Sequence, residues 1–284
     1  MPETRALAPA LYIVATPIGA ARDITLGAID VLASADVLAA EDTRTLRRLL
    51  DIHGIALRGR PLLAYHDHNG PAQRPKLLAH LSAGKSVAFA SDAGTPLVAD
   101  PGYQLVRAAV DAGHAVHTAP GPSAVLAALA VSGLPTDRFF FAGFPPPSKG
   151  ARARFFREIC DVPATIVLFE APKRLSGFIN HAVQELGGER RAAVCRELTK
   201  RHETVMRGTL ADIAEQIGAM PAKGEAVVVI DRAQRVASEA DRDAALRAAL
   251  QSQTVKDAAR DVAEQLGLPR REVYQAALEL AKRT

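Results

Sequence analysis

Short apolar runs that end in Gly- and Pro-rich turns recur along the chain as far as Asp231, with amphipathic stretches between them. Leu11–Thr16 leads into Pro17-Ile18-Gly19, Val87–Ala90 into Ser91–Gly102, and Ala115–Ala119 into Pro120-Gly121-Pro122-Ser123. Thr165–Ala171 ends at Pro172, and Gly224–Ile230 opens a last run. Apolar runs of this length bounded by turn formers predict buried strands. Helices are predicted over Ile24–Ala35, Thr43–Ile52, Pro75–Ser82, Tyr103–Ala112 and Ala124–Val131, with Ser123 capping the last. Strands and helices alternate up to about Thr118, the pattern of a parallel sheet. From Pro120 to Asp231 a second α/β stretch is predicted, with strands near Arg138–Ala142, Thr165–Phe169, Ala192–Glu197, Thr204–Arg207 and Ala226–Ile230. Leu57–Pro71 reads as a basic loop around a short strand, Leu62–Tyr65. Pro145–Gly150 reads as a loop leading into a helix start with Arg152, Arg154 and Arg157.

From Ala233 onward the chain turns charged, Ala-rich and helical. Thr254–Leu266, Gly267-Leu268-Pro269 and Arg270–Leu278 have helix-turn-helix form, with Thr254 as N-cap and Gly267 and Pro269 breaking the first helix. Such a pair is either a small nucleic-acid-binding module or a solvated hairpin. The organisation is therefore three-part: residues 1–119, 120–232 and 233–284.

Loops at the carboxyl ends of strands are where open α/β sheets bind ligands. In Ser91–Gly102, Gly94 admits close approach to the backbone, Pro96 and Pro101 stiffen the loop, and Asp92 and Asp100 supply carboxylates. An ordinary strand-to-helix turn is the competing reading. Ala83-Gly84-Lys85-Ser86 ends like a phosphate-binding loop, but the first Gly that motif needs falls at Ala79, and the segment precedes a strand instead of following one. No Gly-x-Gly-x-x-Gly follows a strand, so a dinucleotide site is unsupported.

Composition narrows the class only a little. Hydrophobic residues make up 48% of the chain and aromatics 5%, so its cores are built mostly of Ala, Val and Leu. The formal net charge of +4 and a pI near 9.2 permit an acidic partner without demanding one. Cys160 and Cys195 lack metal-ligand spacing and read as reduced thiols; His66 and His68 have no third ligand in sight, so no metal is expected. With no signal-peptide core and no apolar run near the ~20 residues of a membrane helix, no membrane partner is expected and the cytoplasm is the default.

Eight short motifs occur in order: Thr16-Pro17-Ile18-Gly19 with Asp23–Leu26, Ala40–Arg44, Ser91–Gly102, Pro120–Ser123, Ser132–Asp137, Phe169–Pro172, Arg196–Lys200 and Gly224–Ala226. Each alone is weak; in register over residues 11–232 the chain resembles the bacterial ribosomal small-subunit RNA cytidine 2′-O-methyltransferase I family of the tetrapyrrole-methylase superfamily. The resemblance implies a two-domain α/β tetrapyrrole-methylase-like fold with a small C-terminal helical module. It also implies S-adenosylmethionine in the crevice between the first two domains, a homodimer, and ribosomal small-subunit RNA, naked or in the assembled subunit, as the acceptor. The absence of the dinucleotide fingerprint agrees, since S-adenosylmethionine has no pyrophosphate to seat. The family usually has Asn-Leu where this chain has Ala20-Ala21, so any contact of that Asn is missing and Pro17 and Gly19 serve through backbone; Ala171 stands where Ser is common.

For the cofactor, the resemblance points to Pro17, Ser91, Asp92, Gly94, Thr95 and Leu97, and to Ser123, Ala124, Phe169, Glu170 and Ala226 closing around the adenine. Methyl transfer to a ribose hydroxyl is an in-line displacement that needs no metal and gains from alignment and from a base or cation near the oxygen. Glu41, Asp42, Glu197 and Lys200 are the catalytic candidates; helix capping for the first two and an ion pair for the last two are the competing readings. Arg44, Arg196, Arg270 and Arg271 are the RNA-binding candidates. A same-fold methylase of a tetrapyrrole or protein side chain, and a non-catalytic RNA-binding assembly factor, are the alternatives.

Overall fold

The computed structural model describes residues 4–99, 102–219, 223–233 and 239–283; Asp100 and Pro101 lie outside the described residues. The chain divides into two compact units, Met1–Arg232 and Ala233–Thr284.

The first unit opens with β1 (Leu11–Val14), α1 (Leu26–Ser34), β2 (Val37–Ala40), α2 (Thr43–Ile52) and β3 (Leu62–Ala64). It continues with α3 (Gly70–Ser82), β4 (Val87–Ala90), α4 (Tyr103–Asp111) and β5 (Val116–Ala119). The strands form one parallel sheet in the order β3-β2-β4-β1-β5. Local chemistry sets the helix starts: the Thr25 hydroxyl accepts from the Ala28 N–H at 3.2 Å, and the Asp42 carboxylate from the Arg44 N–H at 2.8 Å. Helix α3 begins at Gly70, earlier than its pattern predicts, and carries Pro75 inside it. The ladder loses one N–H there and the helix survives, because its apolar face, Leu77 and Leu81, is buried.

A second sheet follows, built from β6 (Phe139–Phe141), β7 (Thr165–Glu170), β8 (Arg191–Arg196), β9 (Thr204–Thr209) and β10 (Ala226–Ile230), in the order β6-β7-β10-β8-β9. Only the β6–β7 pair is parallel; β7–β10, β10–β8 and β8–β9 are antiparallel. Its helices are α5 (Ala124–Ser132), α6 (Lys149–Ile159), α7 (Pro172–Leu186) and α8 (Leu210–Gln216). The pattern had read Pro172 only as a strand's end, whereas it occupies the first turn of α7, where its missing N–H costs nothing. Ser123 departs from expectation as well: it stands at the N-cap of α5 with extended backbone, but its side chain makes no capping hydrogen bond.

Each sheet buries both faces. Leu38, Ala40 and Ala88 look into one core of the first sheet, and Leu11, Val37 and Phe89 into the other. In the second sheet Ile166, Leu168 and Val228 meet Phe156 and Phe178, while Val167, Ala193, Cys195 and Val229 meet α5. Ile18 and Val98, from loops of the first sheet, join that last cluster. The second unit holds α9 (Glu239–Ala249), α10 (Val255–Leu266) and α11 (Arg270–Arg283) around Leu246, Val262 and Val273. Thr254 caps α10 and Gly267, left-handed at φ +63°, ends it. Among the described residues no helix is long and apolar enough to cross a membrane.

Candidate active site

Parallel pairing in the first sheet brings the carboxyl ends of its strands to one edge, since Val14 pairs with both Ala90 and Ala119, and Ala40 with Ala90. The chain that leaves this edge carries Thr16, Glu41, Ser91 and Pro120. In the second sheet the antiparallel register sets Ala226 opposite both Glu170 and Arg196. Residues from both edges line one cavity of about 380 Å³. The first sheet's loops contribute Ile18, Glu41, Ala93, Asp92, Gly94, Thr95, Val98 and Ala99. The remaining wall comes from Ser123, Ala124, Phe144, Phe169, Glu170, Ala171 and Gly224–Val227.

The loop after β4 is stapled in place. Thr16 and Gly94 exchange both backbone hydrogen bonds, at 2.9 and 3.0 Å, and the Thr16 hydroxyl donates to the Ser91 carbonyl. Gly94 sits at φ +80°, which favours glycine, and an added Cβ would come within 3.3 Å of Ile18. Leu97 at φ +73° and Ala99 at φ +59° hold the same left-handed region without being glycines, a local strain of the kind that gathers at ligand sites.

Of the four acidic residues on the wall, Glu41, Asp92 and Glu170 behave differently. Burial, with Asp92 adding repulsion, raises the Glu41 carboxyl above its ordinary value; burial likewise raises Asp92. The side chain of Glu170 is fully buried: Oε1 accepts from the Ala171 N–H and from the Arg174 guanidinium, each at 2.7 Å, and Oε2 has no hydrogen-bond partner among the described residues. Asp42, next to Glu41, is not on the wall. Its carboxylate caps α2 and is gripped by the Arg44 guanidinium, which holds it down at about 2.

Glu197 and Lys200 meet the cavity only through their neighbours. Lys200 Nζ lies 2.9 Å from Glu197 Oε1 and 3.0 Å from Glu225 Oε2, and Glu197 Oε1 also accepts the Glu225 N–H. Burial opposes the charge of both, and these hydrogen bonds outweigh it: Glu197 is held below and Lys200 above its ordinary range. Glu197 at φ +53° and Thr199 at φ +63° turn the chain back on itself, and Thr199 Oγ1 accepts the Ala20 N–H at 3.1 Å. The backbone at the Ala20 substitution is thereby held, whatever the missing Asn would have touched.

Of the sequence candidates, Glu41, Asp92, Gly94, Thr95, Ser123, Ala124, Phe169, Glu170 and Ala226 share the cavity wall. The structure does not bring the others there. Ser91 is buried, and its hydroxyl donates to the Gly94 carbonyl at 3.2 Å. Leu97 packs into the apolar cluster around Phe89, and Pro17 lies off the wall. Arg196 is 7% exposed, with Nε and Nη2 both donating to the Lys223 carbonyl, so it braces the turn before β10 instead of presenting a charge outward. Arg44 is exposed but engaged by Asp42. The wall residues that the reading did not single out include Ile18, Val98, Phe144 and Gly224. Gly224, at φ +100°, was visible as part of a motif, while nothing local marks Phe144. In the second unit Arg270 and Arg271 line a shallow concavity of about 390 Å³ with Lys256 and Tyr274.

Residues 10–214 match the family described as tetrapyrrole (corrin/porphyrin) methylases, and residues 236–281 the RsmI C-terminal HTH domain. The chain is 49% identical over 278 residues to the ribosomal RNA small subunit methyltransferase I of Mesorhizobium japonicum, covering 97% of this chain and 94% of that one. It is 41% identical to the protein of that name in Mycobacterium tuberculosis, covering 96% of each. Among solved structures, uroporphyrin-III C-methyltransferase from Thermus thermophilus, complexed with S-adenyl homocysteine, superposes with TM-score 0.53 at 22% identity, over 80% of this chain and 99% of that one. Diphthine synthase superposes with TM-score 0.59 at 14% identity, over 78% and 89%. At these identities the two structures speak for the fold alone.

Proposed function

The chain belongs to the ribosomal RNA small subunit methyltransferase I family of the tetrapyrrole methylases, and from that membership we propose that it methylates the 2′-hydroxyl of a cytidine in small-subunit ribosomal RNA. The observation that carries the reading is the cavity walled by Glu41, Asp92 and Glu170 between the edges of the two sheets. Its volume of about 380 Å³ falls within the range of roughly 300–1,000 Å³ typical of small-molecule sites. Apolar walls at Ile18, Val98, Phe144 and Phe169 suit an adenosine, and the carboxylates suit a ligand that carries an ammonium and a sulfonium. The residues present therefore fit S-adenosylmethionine.

When bound, S-adenosylmethionine supplies a methyl group activated by its sulfonium. In this reading the backbones at Gly94-Thr95 and Ser123-Ala124 hold it from one side, and Phe169, Glu170 and Ala226 from the other. Asp92 accepts its polar hydrogens. Glu41, with its carboxyl raised by burial, is suited to take the proton of the ribose hydroxyl as the new bond forms. The Lys200–Glu197–Glu225 cluster positions the Gly224–Ala226 part of the wall. Residues 1–119 and 120–232 act as the two α/β halves, and Arg270 and Arg271 of the helical module add RNA contacts.

The same reading makes the protein cytoplasmic and a homodimer, the latter supported by the exposed apolar side chains of Phe139 and Phe140 on the edge strand β6. The test is mass mapping of small-subunit ribosomal RNA from cells with and without the gene, followed by methyl transfer with purified protein. One ribose methylation should vanish with the gene and return with the protein; an unchanged methylation map overturns the reading.

A further inference from the structure

Helix α2 carries Arg44, Arg47, Arg48 and Asp51 at successive spacings of three, one and three, which places them on a single face. With Thr43 these residues line a shallow concavity of about 370 Å³. The opposite face holds Leu46 and Leu50, both buried in the core of the first sheet, so the orientation of the helix is set and the arginine face looks outward. Arginines three and four positions apart on a helix repel one another. Arg44 is relieved by its contacts with Asp42 at 2.6–3.2 Å. Arg47 and Arg48 form no ion pair or side-chain hydrogen bond among the described residues, although Asp51 lies one turn away. Two exposed guanidiniums thus share this concavity with Asp51, and neither is engaged in an ion pair among the described residues.

Their place relative to the cavity gives this a direction. Glu41 lines the cavity, and α2 starts at Thr43, two residues further on. At 1.5 Å of rise per residue, Arg47 and Arg48 lie about 6–8 Å along the helix from its start. A polyanion that delivers one sugar to Glu41 would pass its neighbouring phosphate over this face. Planar guanidiniums match phosphate oxygens two at a time, which an isolated surface charge does not do.

We infer that Arg47 and Arg48 are a binding subsite for the phosphodiester backbone beside the ribose presented at Glu41, and that Arg44 is a positioning residue that holds Asp42. The inference rests on the reading of the substrate as ribosomal RNA, and it assigns the contact to a surface within the first unit.

The test uses the full chain with Arg47→Ala and Arg48→Ala combined, and Arg107→Ala as a control for lost positive charge, since Arg107 lies on α4 and faces Asp111. The substrates are unmethylated small subunits and protein-free small-subunit RNA, and methyl incorporation is measured against salt. The double variant should raise KM for either RNA several-fold, leave the Kd for S-adenosylmethionine unchanged, and reduce the log–log salt slope by about 1.4, or about 0.7 for each lost contact to single-stranded RNA. Arg47→Lys with Arg48→Lys should restore the slope, because the charge is kept, while recovering KM only in part. A double variant with wild-type KM and salt slope overturns the subsite. A defect confined to assembled subunits, with protein-free RNA bound as by wild type, also overturns it and makes the face a contact for ribosomal protein. If the wild-type chain methylates no ribosomal RNA, the functional reading fails first, an outcome separate from both.

Discussion

The Asp92 carboxylate accepts the backbone N–H of Asp42 at 3.0 Å, tying the loop after β4 to the first turn of α2. Asp42 in turn caps that helix and is held by Arg44. A relay therefore runs from an exposed arginine through two carboxylates to the cavity wall, and each link limits how the next can turn.

The first prediction concerns the outer link. Arg44→Ala should let the Asp42 carboxyl move up from about 2 toward the ordinary 3.8, read by NMR titration of that side chain. The folded value of Asp42 is depressed, so the stability it contributes is present above pH 3.8 and is lost as the pH falls through about 2. Wild type and variant should therefore differ in thermal stability at neutral pH and converge in strong acid. Cofactor affinity should weaken only modestly, because Asp92 keeps its bond to the Asp42 backbone.

Glu41→Gln separates stability from chemistry. The folded carboxyl is raised by burial and by Asp92, with Asp67 adding to the effect and His66 opposing it. Stability linked to such a group is fully present below its ordinary 4.5 and is lost as the pH rises through the folded value. The amide should thus unfold at a higher temperature than wild type at neutral pH, with the advantage gone below pH 4.5. If Glu41 takes the hydroxyl proton, the rate of methyl transfer should fall by about 10²–10⁴. A stable variant with full activity would remove Glu41 from the chemistry.

Gly224→Ala probes the other wall. The new Cβ would stand 2.5 Å from Glu197 Oε1, at a φ of +100° that favours glycine. Unfolding in denaturant should show a loss of about 1–2 kcal/mol from backbone conformation alone. The displaced carboxylate should also free Lys200, seen as faster hydrogen exchange over residues 197–203. Gly19→Ala attacks the same loop from its far side, with its Cβ 2.5 Å from Thr199 Oγ1 and 2.8 Å from the Leu198 carbonyl. Both variants should loosen the same segment.

The helical unit offers an internal contrast. Arg260 is bound to Asp257 at 3.0 Å and to Asp261 at 2.9 Å, whereas Lys256, Arg270 and Arg271 share a concavity with Tyr274. Filter binding of small-subunit RNA should weaken and lose salt dependence with Arg270→Ala and Arg271→Ala combined. Arg260→Ala should leave both unchanged, since its charge is already answered within the helix. Equal effects from the two variants would mean that net charge, not this concavity, matters.

Strands, caps and breaks were legible in the chain because they are local. Ala226–Ile230, the Thr254 cap and the Gly267 stop each depend on a few neighbouring residues, and alternation alone marked the first sheet as parallel. The antiparallel pairing of β7, β10 and β8 left no such trace, since strand direction is set by partners far apart in sequence. The motifs together were enough to identify the family. Which residue of each motif faces the cavity was beyond them. Ser91 and Asp92 are neighbours, and one hydroxyl turns inward to the Gly94 carbonyl while the next carboxylate reaches the wall. Glu41 and Asp42 divide in the same way, one on the wall and one capping a helix. Arg196 and Arg47 are both arginines in basic segments, yet one braces a carbonyl 27 residues away and the other forms no ion pair among the described residues. Local propensity determined the elements and their order along the chain. Side-chain direction at the strand ends, and which charges find a partner, were decided only when distant segments packed, because those contacts do not exist until the sheets close.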